Sequence, residues 1–307
     1  MEEHSFYQEN GAVSLADVAT PSVVILVHYG MIETTRRCLE SLAVHEGASQ
    51  PVVISDHGAD QPLGERLQGH PSCDKLRIIR RENLGFGSGC NAAAETAFSA
   101  GAQWVWFLNN DATLDSPVLT RLLELAQRVP QVGLWGTLQR DGDRSIGADK
   151  LPKWFPTPSC ATPNVADLPP GCHQLGARET LSGASILVSR AAWERLGPWP
   201  EWCFLYWEDV AWCLKAHEAG IPMVMTDLEI LHPRNTTTGH HSPLTTYYGV
   251  RNSLLLHGDL WPQSKWQRLG QAVHLLQKRV LQGNWRMLRP TLQGILDARK
   301  GLRFKTR

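Results

Sequence analysis

Trp104-Val105-Trp106-Phe107-Leu108-Asn109-Asn110-Asp111 is an apolar run that stops at two amides and a carboxylate. Aromatics and Val in a short continuous run read as a buried strand, with the polar triplet at its carboxyl end. In open α/β sheets ligands bind outside the carboxyl ends of strands, which puts a site at this triplet. A carboxylate there, with an amide two residues before it, suits a hard divalent cation carrying a phosphate group. A strand running into an Asx-type turn uses the same residues. The segments around it decide between the two.

Upstream, Val23 to Val27 is a short apolar run suited to a buried parallel strand, and it ends at His28-Tyr29-Gly30. Residues 33–44 have helical spacing through Cys38, Leu39, Leu42 and Ala43. Val52-Val53-Ile54 is a second strand ending at Ser55-Asp56-His57-Gly58, and Leu76-Arg77-Ile78-Ile79 a third ending at Glu82-Asn83-Leu84-Gly85. Ala92 to Ala100 reads as a small-residue helix before the Trp104 strand. Strands alternating with helices make βαβ units and a mostly parallel sheet. Right-handed crossovers then gather the polar turns along one edge, the pattern of a nucleotide-binding half.

Downstream, Gly142 to Pro170 holds six prolines and reads as an irregular excursion of flap type. Order is expected again at Glu179 to Gly183, in a strand through Ile186-Leu187-Val188, and in a helix from Glu208 to Ala219 stopped by Gly220 and Pro222. Leu228 to Leu231 reads as a strand ending at His232. Residues 1–20 lack periodicity and read as a flexible leader without the apolar core of a secretory signal.

Thirty basic and thirty acidic residues cancel, yet residues 260–307 carry eleven Lys or Arg against one acid, Asp297. A basic end of this kind points to an anionic partner, a membrane surface or a polyanion. Within it Trp266, Leu269, Val273, Leu276 and Val280 recur at helical spacing, with Lys265, Arg268, Lys278 and Arg279 off the stripe. That is a basic amphipathic helix, which either lies on a membrane or packs its stripe on the main domain. No apolar run is long enough for a transmembrane helix. Seven cysteines without a Cys-x-x-Cys pair read as free thiols of a reducing cytosol, where the Asn235 sequon carries no glycan.

Three alternating glycines in Asn83-Leu84-Gly85-Phe86-Gly87-Ser88-Gly89 let backbone approach a phosphate or ribose. The spacing is not that of the dinucleotide fingerprint. Glu208 and Asp209 open a helix, where the dipole favours ionised carboxylates; they serve either as caps or as a general base. Trp207 beside them is either a sugar-stacking platform or core. His232 is a lone histidine, more commonly structural than a ligand, and His240 and His241 read as exposed. Arg251, one helical turn from Tyr247-Tyr248, offers a fork for pyrophosphate or a surface ion pair.

Taken in order, these segments resemble the family 2 glycosyltransferases of GT-A fold, especially the bacterial rhamnosyltransferase- and galactofuranosyltransferase-like branch. The resemblance rests on Val23 to Tyr29, Asp56-His57-Gly58, Asn83 to Gly87, Leu108 to Asp111, Ser182-Gly183-Ala184, Phe204 to Asp209 and Tyr247 to Asn252. It implies a Rossmann-like, mostly parallel α/β sheet flanked by helices over residues 21–258, with a nucleotide-binding half at 21–140, an acceptor and catalytic half at 141–258, and a basic helical tail at 259–307. By resemblance His28, Tyr29, Asp56, Asn83, Gly85, Gly87, Asn109, Asn110 and Arg251 line the donor site, with Asp56 on the nucleobase. Asn109-Asn110-Asp111 stands in for the Asp-x-Asp motif, Asp111 and His232 hold Mg²⁺ or Mn²⁺, Asp209 is the base of an inverting displacement, Glu208 orients the acceptor and Trp207 binds it.

Departures accompany the likeness. Asn109 replaces the first acid of Asp-x-Asp, His57 and Ala59 replace an Asn and a Ser, Ala211 fills the last acidic place of Glu-Asp-Val-Asp, and Pro198-Trp199-Pro200 replaces a Gly-aromatic-Asp run. The expectation is a cytoplasmic, peripherally membrane-bound, metal-dependent transferase. It would move a sugar from a dTDP- or UDP-sugar to a glycan or lipid-linked glycan in cell-surface polysaccharide assembly, with no nucleic-acid partner. A degenerate module that only binds glycan is one alternative. A sugar-phosphate nucleotidyltransferase is the other, disfavoured because residues 28–37 lack a Gly-rich, basic triphosphate loop.

Overall fold

A computed structural model describes residues 22–58, 62–67, 76–151, 155, 162–233, 242–260 and 264–305. The expectations for the leader, for Pro152, Pro156 and Pro158 of the excursion, for the Asn235 sequon and for His240 and His241 lie outside the described residues. The first half of the chain runs β1 (Ser22–His28), α1 (Ile32–His45), β2 (Val52–Asp56), α2 (Leu63–Arg66), β3 (Leu76–Arg80), α3 (Phe86–Ser99), β4 (Trp104–Leu108) and α4 (Val118–Arg128). Next come β5 (Leu134–Asp141), β6 (Arg144–Ile146), β7 (Asp149–Lys150), β8 (Cys172–Gln174), β9 (Glu179–Thr180) and β10 (Ser185–Ser189). The chain continues through α5 (Arg190–Leu196), α6 (Glu208–Glu218), β11 (Met223–Leu231), α7 (Pro243–Leu260), α8 (Lys265–Leu281) and α9 (Leu288–Arg299).

β1 is buried along its whole length. Its alternation divides two cores: Val23, Ile25 and Val27 meet Ala93, Ala94 and Ala97 of α3, while Val24 and Leu26 meet Leu39 and Leu42 of α1 and Leu119 and Leu122 of α4. A strand covered on both faces is apolar at every position, which is why the run shows no alternation in sequence. Each such side chain withdraws enough surface to contribute about 1.5–3 kcal/mol, an upper figure because the unfolded chain is already partly collapsed.

The main sheet has the order β3-β2-β1-β4-β10-β5-β11-β8, with β6 attached to β5. β1 pairs in parallel with both β2 and β4, so the winding reverses between β1 and β4 and opens a crevice at their carboxyl ends. β10 is antiparallel to β4 and to β5. Its start, rather than its end, therefore lies at that same edge, and Ser185 sits opposite Leu108. β11 is parallel to β5, so its carboxyl end arrives there too. The α/β, mostly parallel architecture read from the sequence is the one observed.

One reading needs correction, and one left open is narrowed. α3 begins at Phe86, six residues before the expected start, so most of the glycine-rich segment is helix. The apolar stripe of α8 does not pack on the main domain: Trp266 is 80% exposed, Leu269 51% and Val273 43%. α7 and α9 instead pack on each other, where a Cβ on Gly294 would lie 2.8 Å from the Tyr247 carbonyl oxygen.

Candidate active site

After β4 the chain turns at Asn109, whose carbonyl accepts the Ala112 N–H at 3.0 Å, and Thr113 then forms an antiparallel bridge with Leu231. That bridge brings His232 to Asp111. His232 Nε2 lies 3.1 Å from Asp111 Oδ1 and 3.1 Å from Asn109 Nδ2. On the other side of the ring, Nδ1 meets Gln139 Oε1 at 3.1 Å. An amide oxygen only accepts and an amide N–H only donates, so Nδ1 donates to Gln139 while the Nε2 lone pair faces the Asn109 amide beside Asp111.

A nitrogen lone pair and a carboxylate oxygen at this separation match neighbouring ligands of a divalent cation, about 3 Å apart for bonds of about 2.1 Å. The residues fit the expected Mg²⁺ or Mn²⁺. Among the described residues no group of three or more His, Cys, Asp or Glu converges. A cation here would thus depend on substrate phosphate and water for much of its shell, as Mg²⁺ ordinarily does.

A second network ties the carboxyl ends of β1 and β4 together. Asn110 Nδ2 donates to Thr35 Oγ1 at 2.8 Å. The hydroxyl then donates onward to His28 Nδ1 at 2.7 Å, consistent with burial holding the His28 imidazole neutral by lowering its pKa. His28, Thr35 and Asn110 are all buried, whereas Tyr29 is exposed at the mouth of the crevice.

Asp56 is also buried. Its Oδ1 accepts the Gly58 N–H at 2.9 Å and its Oδ2 the Leu63 N–H at 3.2 Å, so it shapes the loop after β2. Beside it, burial foremost pushes the His57 pKa down to about 4, with the Arg81 charge adding to the shift.

The glycine-rich turn serves packing, a use the sequence reading did not anticipate. Asn83 Oδ1 accepts the Gly85 N–H at 3.1 Å. Gly85 has φ 110°, and a Cβ there would lie 2.3 Å from the Phe204 carbonyl oxygen, which itself accepts the Phe86 N–H at 3.0 Å. Gly87 lies against Trp199 and Gly89 against His57. The bare Cα atoms of this turn thus admit protein rather than open space.

On the opposite wall, Glu208 and Asp209 begin α6. Asp209 Oδ2 accepts the Gly183 N–H at 3.0 Å, and Oδ1 accepts the Val210 N–H at 2.8 Å. The turn holding Asp209 is joined to the Asn109-Asn110-Asp111 triplet, because the Asn109 N–H donates to the Ala184 carbonyl at 2.9 Å. Burial raises the Asp209 pKa, an effect the Gly183 and Val210 N–H groups partly offset.

Glu208 is more extreme. Burial, then the charge of Asp209, pushes its pKa up to about 8, and its buried Oε2 has no hydrogen-bond partner. Its folded value exceeds its ordinary value of 4.5. Its contribution to stability is therefore greatest at low pH and falls as pH rises from the unfolded value toward the folded one. Glu208→Gln is expected to melt at a higher temperature than the parent at pH 8, with the gap closing near pH 4. Equal melting temperatures at both pH values would contradict the assignment.

The segment entering α6 is contorted. Phe204, Tyr206 and Trp207 have φ of 62°, 67° and 74°, each a conformation that costs a non-glycine residue on the order of 1–3 kcal/mol. The half-buried Trp207 ring stacks on Phe155 with centroids 5.9 Å apart.

Arg251 does not reach the donor crevice, which corrects the pyrophosphate reading. It is fully buried, and its guanidinium donates to the carbonyls of Phe304 at 2.7 Å and Cys203 at 3.0 Å. It also stacks over Tyr248, 4.7 Å from the ring centroid.

Sequence reasoning passed over Thr35 and Gln139, and Gly183 and Asn252 entered it only as parts of motifs. Nothing local marks Thr35 or Gln139, whose partners lie 75 and 93 residues away. Asn252 adjoined a residue already singled out, and that adjacency was the available signal.

Residues 22–175 match the family described as Glycosyl transferase family 2. The chain belongs to that family. As a family 2 glycosyltransferase it transfers a sugar from a nucleotide-sugar donor. It is 28% identical, over 75% of its own length and 84% of the relative's, to the N-acetylglucosaminyl-diphospho-decaprenol L-rhamnosyltransferase of Mycobacterium tuberculosis (strain H37Rv).

Among solved structures it resembles the mannosyltransferase PcManGT from Pyrobaculum calidifontis in complex with GDP-Man and Mn²⁺. The TM-score is 0.53 at 15% identity, covering 91% of this chain and 75% of that one. S. aureus TarS 1-349 in complex with UDP-GlcNAc gives 0.53 at 14% identity, covering 91% and 81%. At such identities the two likenesses carry the GT-A fold of this glycosyltransferase and nothing finer. Among the described residues, no helix is long and apolar enough to cross a membrane.

Proposed function

We propose that this glycosyltransferase is inverting and metal-dependent, and that it moves a sugar from a dTDP- or UDP-sugar to a hydroxyl of a lipid-linked glycan in cell-surface polysaccharide assembly. The observation that carries the reading is the placement of Asp209, on Gly183, one residue from the carbonyl bonded to Asn109. A base and a metal-binding triplet are in this reading fixed to one another through the turn that leads into β10. Residues 21–140 hold the donor, with His28, Tyr29, Asp56, Asn83, Asn109 and Asn110 around it, while Gly85 and Gly87 are left out because they pack against Phe204 and Trp199. Residues 141–258 carry the acceptor and the base, and residues 259–307 form the basic tail. Arg251 is left out of the donor set because its guanidinium is spent on carbonyls.

Asp111 and His232 hold Mg²⁺ or Mn²⁺, which when bound neutralises charge on the departing diphosphate. Asp209 takes the proton from the acceptor hydroxyl as that oxygen attacks the anomeric carbon from the face opposite the leaving group. Glu208, protonated near neutral pH by burial, donates a hydrogen bond that orients the acceptor, and Trp207 packs against its sugar. The mycobacterial relative's name specifies a diphospho-decaprenol-linked sugar as acceptor, which supports a lipid-linked substrate.

The test is a thermal-shift screen of UDP, dTDP, GDP and CDP, each with and without Mn²⁺, since a ligand bound to the native state raises its apparent stability. A Mn²⁺-dependent shift with UDP or dTDP is expected. No shift with any nucleotide would favour a degenerate glycan-binding module.

The tail brings the enzyme to the membrane in this reading. α8 exposes Trp266, Leu269, Val273 and Val280 along one stripe, in a segment with eleven Lys or Arg and one acid. Each basic residue near an anionic leaflet contributes about 1 kcal/mol. The enzyme should co-sediment with phosphatidylglycerol-containing vesicles at low salt and not with phosphatidylcholine alone. Trp266→Ser with Leu269→Ser should weaken that binding about tenfold or more. Equal sedimentation with both vesicle types, or none with either, would contradict it.

A further inference from the structure

We infer that Asn252, with Arg251 beside it, is a positioning residue that holds the contorted segment 203–207 and thereby sets where Glu208 and Asp209 stand. The inference rests on the transferase reading for its consequence, though not for its geometry.

At Phe204 the backbone has φ 62° and ψ −64°, and the Leu205 N–H donates to the Cys203 carbonyl at 2.9 Å. That is a γ-turn of the rare positive-φ kind. Tyr206 and Trp207 follow it, also at positive φ. Three of the four residues 204–207 thus hold a conformation that the chain's own preference does not favour. Such conformations persist where the surroundings over-determine them.

The surroundings that do so come from α7. The fully buried Asn252 side chain directs Nδ2 at three carbonyls of this one segment: Cys203 at 2.7 Å, Leu205 at 2.8 Å and Tyr206 at 2.8 Å. Its Oδ1 accepts the Arg251 Nε–H at 2.9 Å, which fixes the orientation of the amide. Arg251 in turn donates to the Cys203 carbonyl and, through Phe304, holds the chain end that donates back to the Trp202 carbonyl at 2.8 Å.

The segment then has no slack. Its Phe204 carbonyl is seated on Gly85 and bonded to the Phe86 N–H, and its far end is the first turn of α6. A shift at Leu205 or Tyr206 is passed directly to Asp209. An amide with two N–H groups facing three carbonyls is a requirement of type, because a carboxylate of the same shape would repel all three.

Asn252→Asp makes that exchange while keeping an acceptor for Arg251 Nε, so the buried guanidinium keeps a partner at the site. Two readouts follow. Hydrogen exchange of the Gly183 amide, which donates to Asp209 Oδ2, is expected to speed up at least tenfold relative to amides of β1. This readout does not depend on the transferase reading.

The second readout is nucleoside diphosphate release from dTDP-L-rhamnose or a UDP-sugar in the presence of a polyprenyl-diphosphate-linked GlcNAc acceptor. kcat is expected to fall at least 100-fold while UDP or dTDP affinity with Mn²⁺ stays within threefold. The acid limb of the rate should also move to lower pH, because a loosened loop hydrates Asp209 and relieves the burial that raises its pKa.

Gly183 exchange unchanged, or turnover and pH limb unchanged in a folded variant, overturns the inference. Should Asn252→Asp not accumulate as folded protein, Arg251→Lys carries the same expectations, since an ammonium cannot serve Asn252 and the carbonyls as a fork. If the parent releases no nucleoside diphosphate from any donor, the transferase reading fails, and the exchange arm still decides this one.

Discussion

Asp209→Asn is expected to lower kcat by about 10³-fold while leaving affinity for the donor nucleotide unchanged, the signature of a lost general base. The substitution preserves shape, and an asparagine oxygen can still accept the Gly183 N–H that now meets Oδ2. What is lost is the capacity to take a proton. Glu208 does not replace it, because burial pushes its pKa up to about 8 and holds it protonated near neutral pH.

The same geometry predicts the pH profile of the parent. A base whose pKa is raised by burial loses activity, as pH falls, at a higher pH than an ordinary carboxylate would. Steady-state rates for the variant and the parent over pH 4 to 9 check both points. A variant with near-parental turnover would remove Asp209 from the mechanism.

Asp111→Ala should abolish the Mn²⁺-dependent part of nucleotide binding, weakening it by about 100-fold with metal present and little in its absence. The pair Asp111 and His232 is sparse for a metal site. Asn109 supplies no charge where the motif ordinarily carries its first acid, so one carboxylate carries most of the electrostatic work at that position. Removing it also leaves His232 Nε2 beside only the Asn109 amide. Calorimetric titration of UDP and dTDP with and without Mn²⁺ reads the effect. Retention of metal dependence in Asp111→Ala would place the cation elsewhere.

The strands most legible in the sequence were the ones buried on both faces. β1, β2 and β4 are continuous apolar runs, and a parallel strand between helix layers has no other composition open to it. β5 escaped notice because Gly136 and polar residues interrupt it. The glycine is there because a Cβ would lie 2.4 Å from Leu181 Cδ2, a contact made in three dimensions only.

The same limit explains the glycine-rich segment. Read locally, its alternation suits a phosphate; in the fold it admits Phe204, Trp199 and His57. Arg251 was recognised as a fork, but residue type does not reveal which oxygens the fork meets. For the amphipathic stripe of α8 the sequence left two covers open, and burial removed one of them by leaving Trp266 and Leu269 exposed.

The carboxylates at the mouth of α6, by contrast, were legible because three independent features converge on them. They follow an aromatic, they open a helix and they sit at a fixed order after the Ser182-Gly183 turn.

The most direct measurement is the anomeric configuration of the product. The enzyme is incubated with dTDP-L-rhamnose or UDP-sugars, Mn²⁺ and a polyprenyl-diphosphate-linked GlcNAc acceptor, and the glycosidic linkage of the purified product is read by NMR. The account predicts a product inverted relative to the donor, formed only with metal and absent with Asp209→Asn. A product that retains the donor configuration would contradict it, because retention requires a nucleophile or a same-face attack that Asp209 acting as base does not provide.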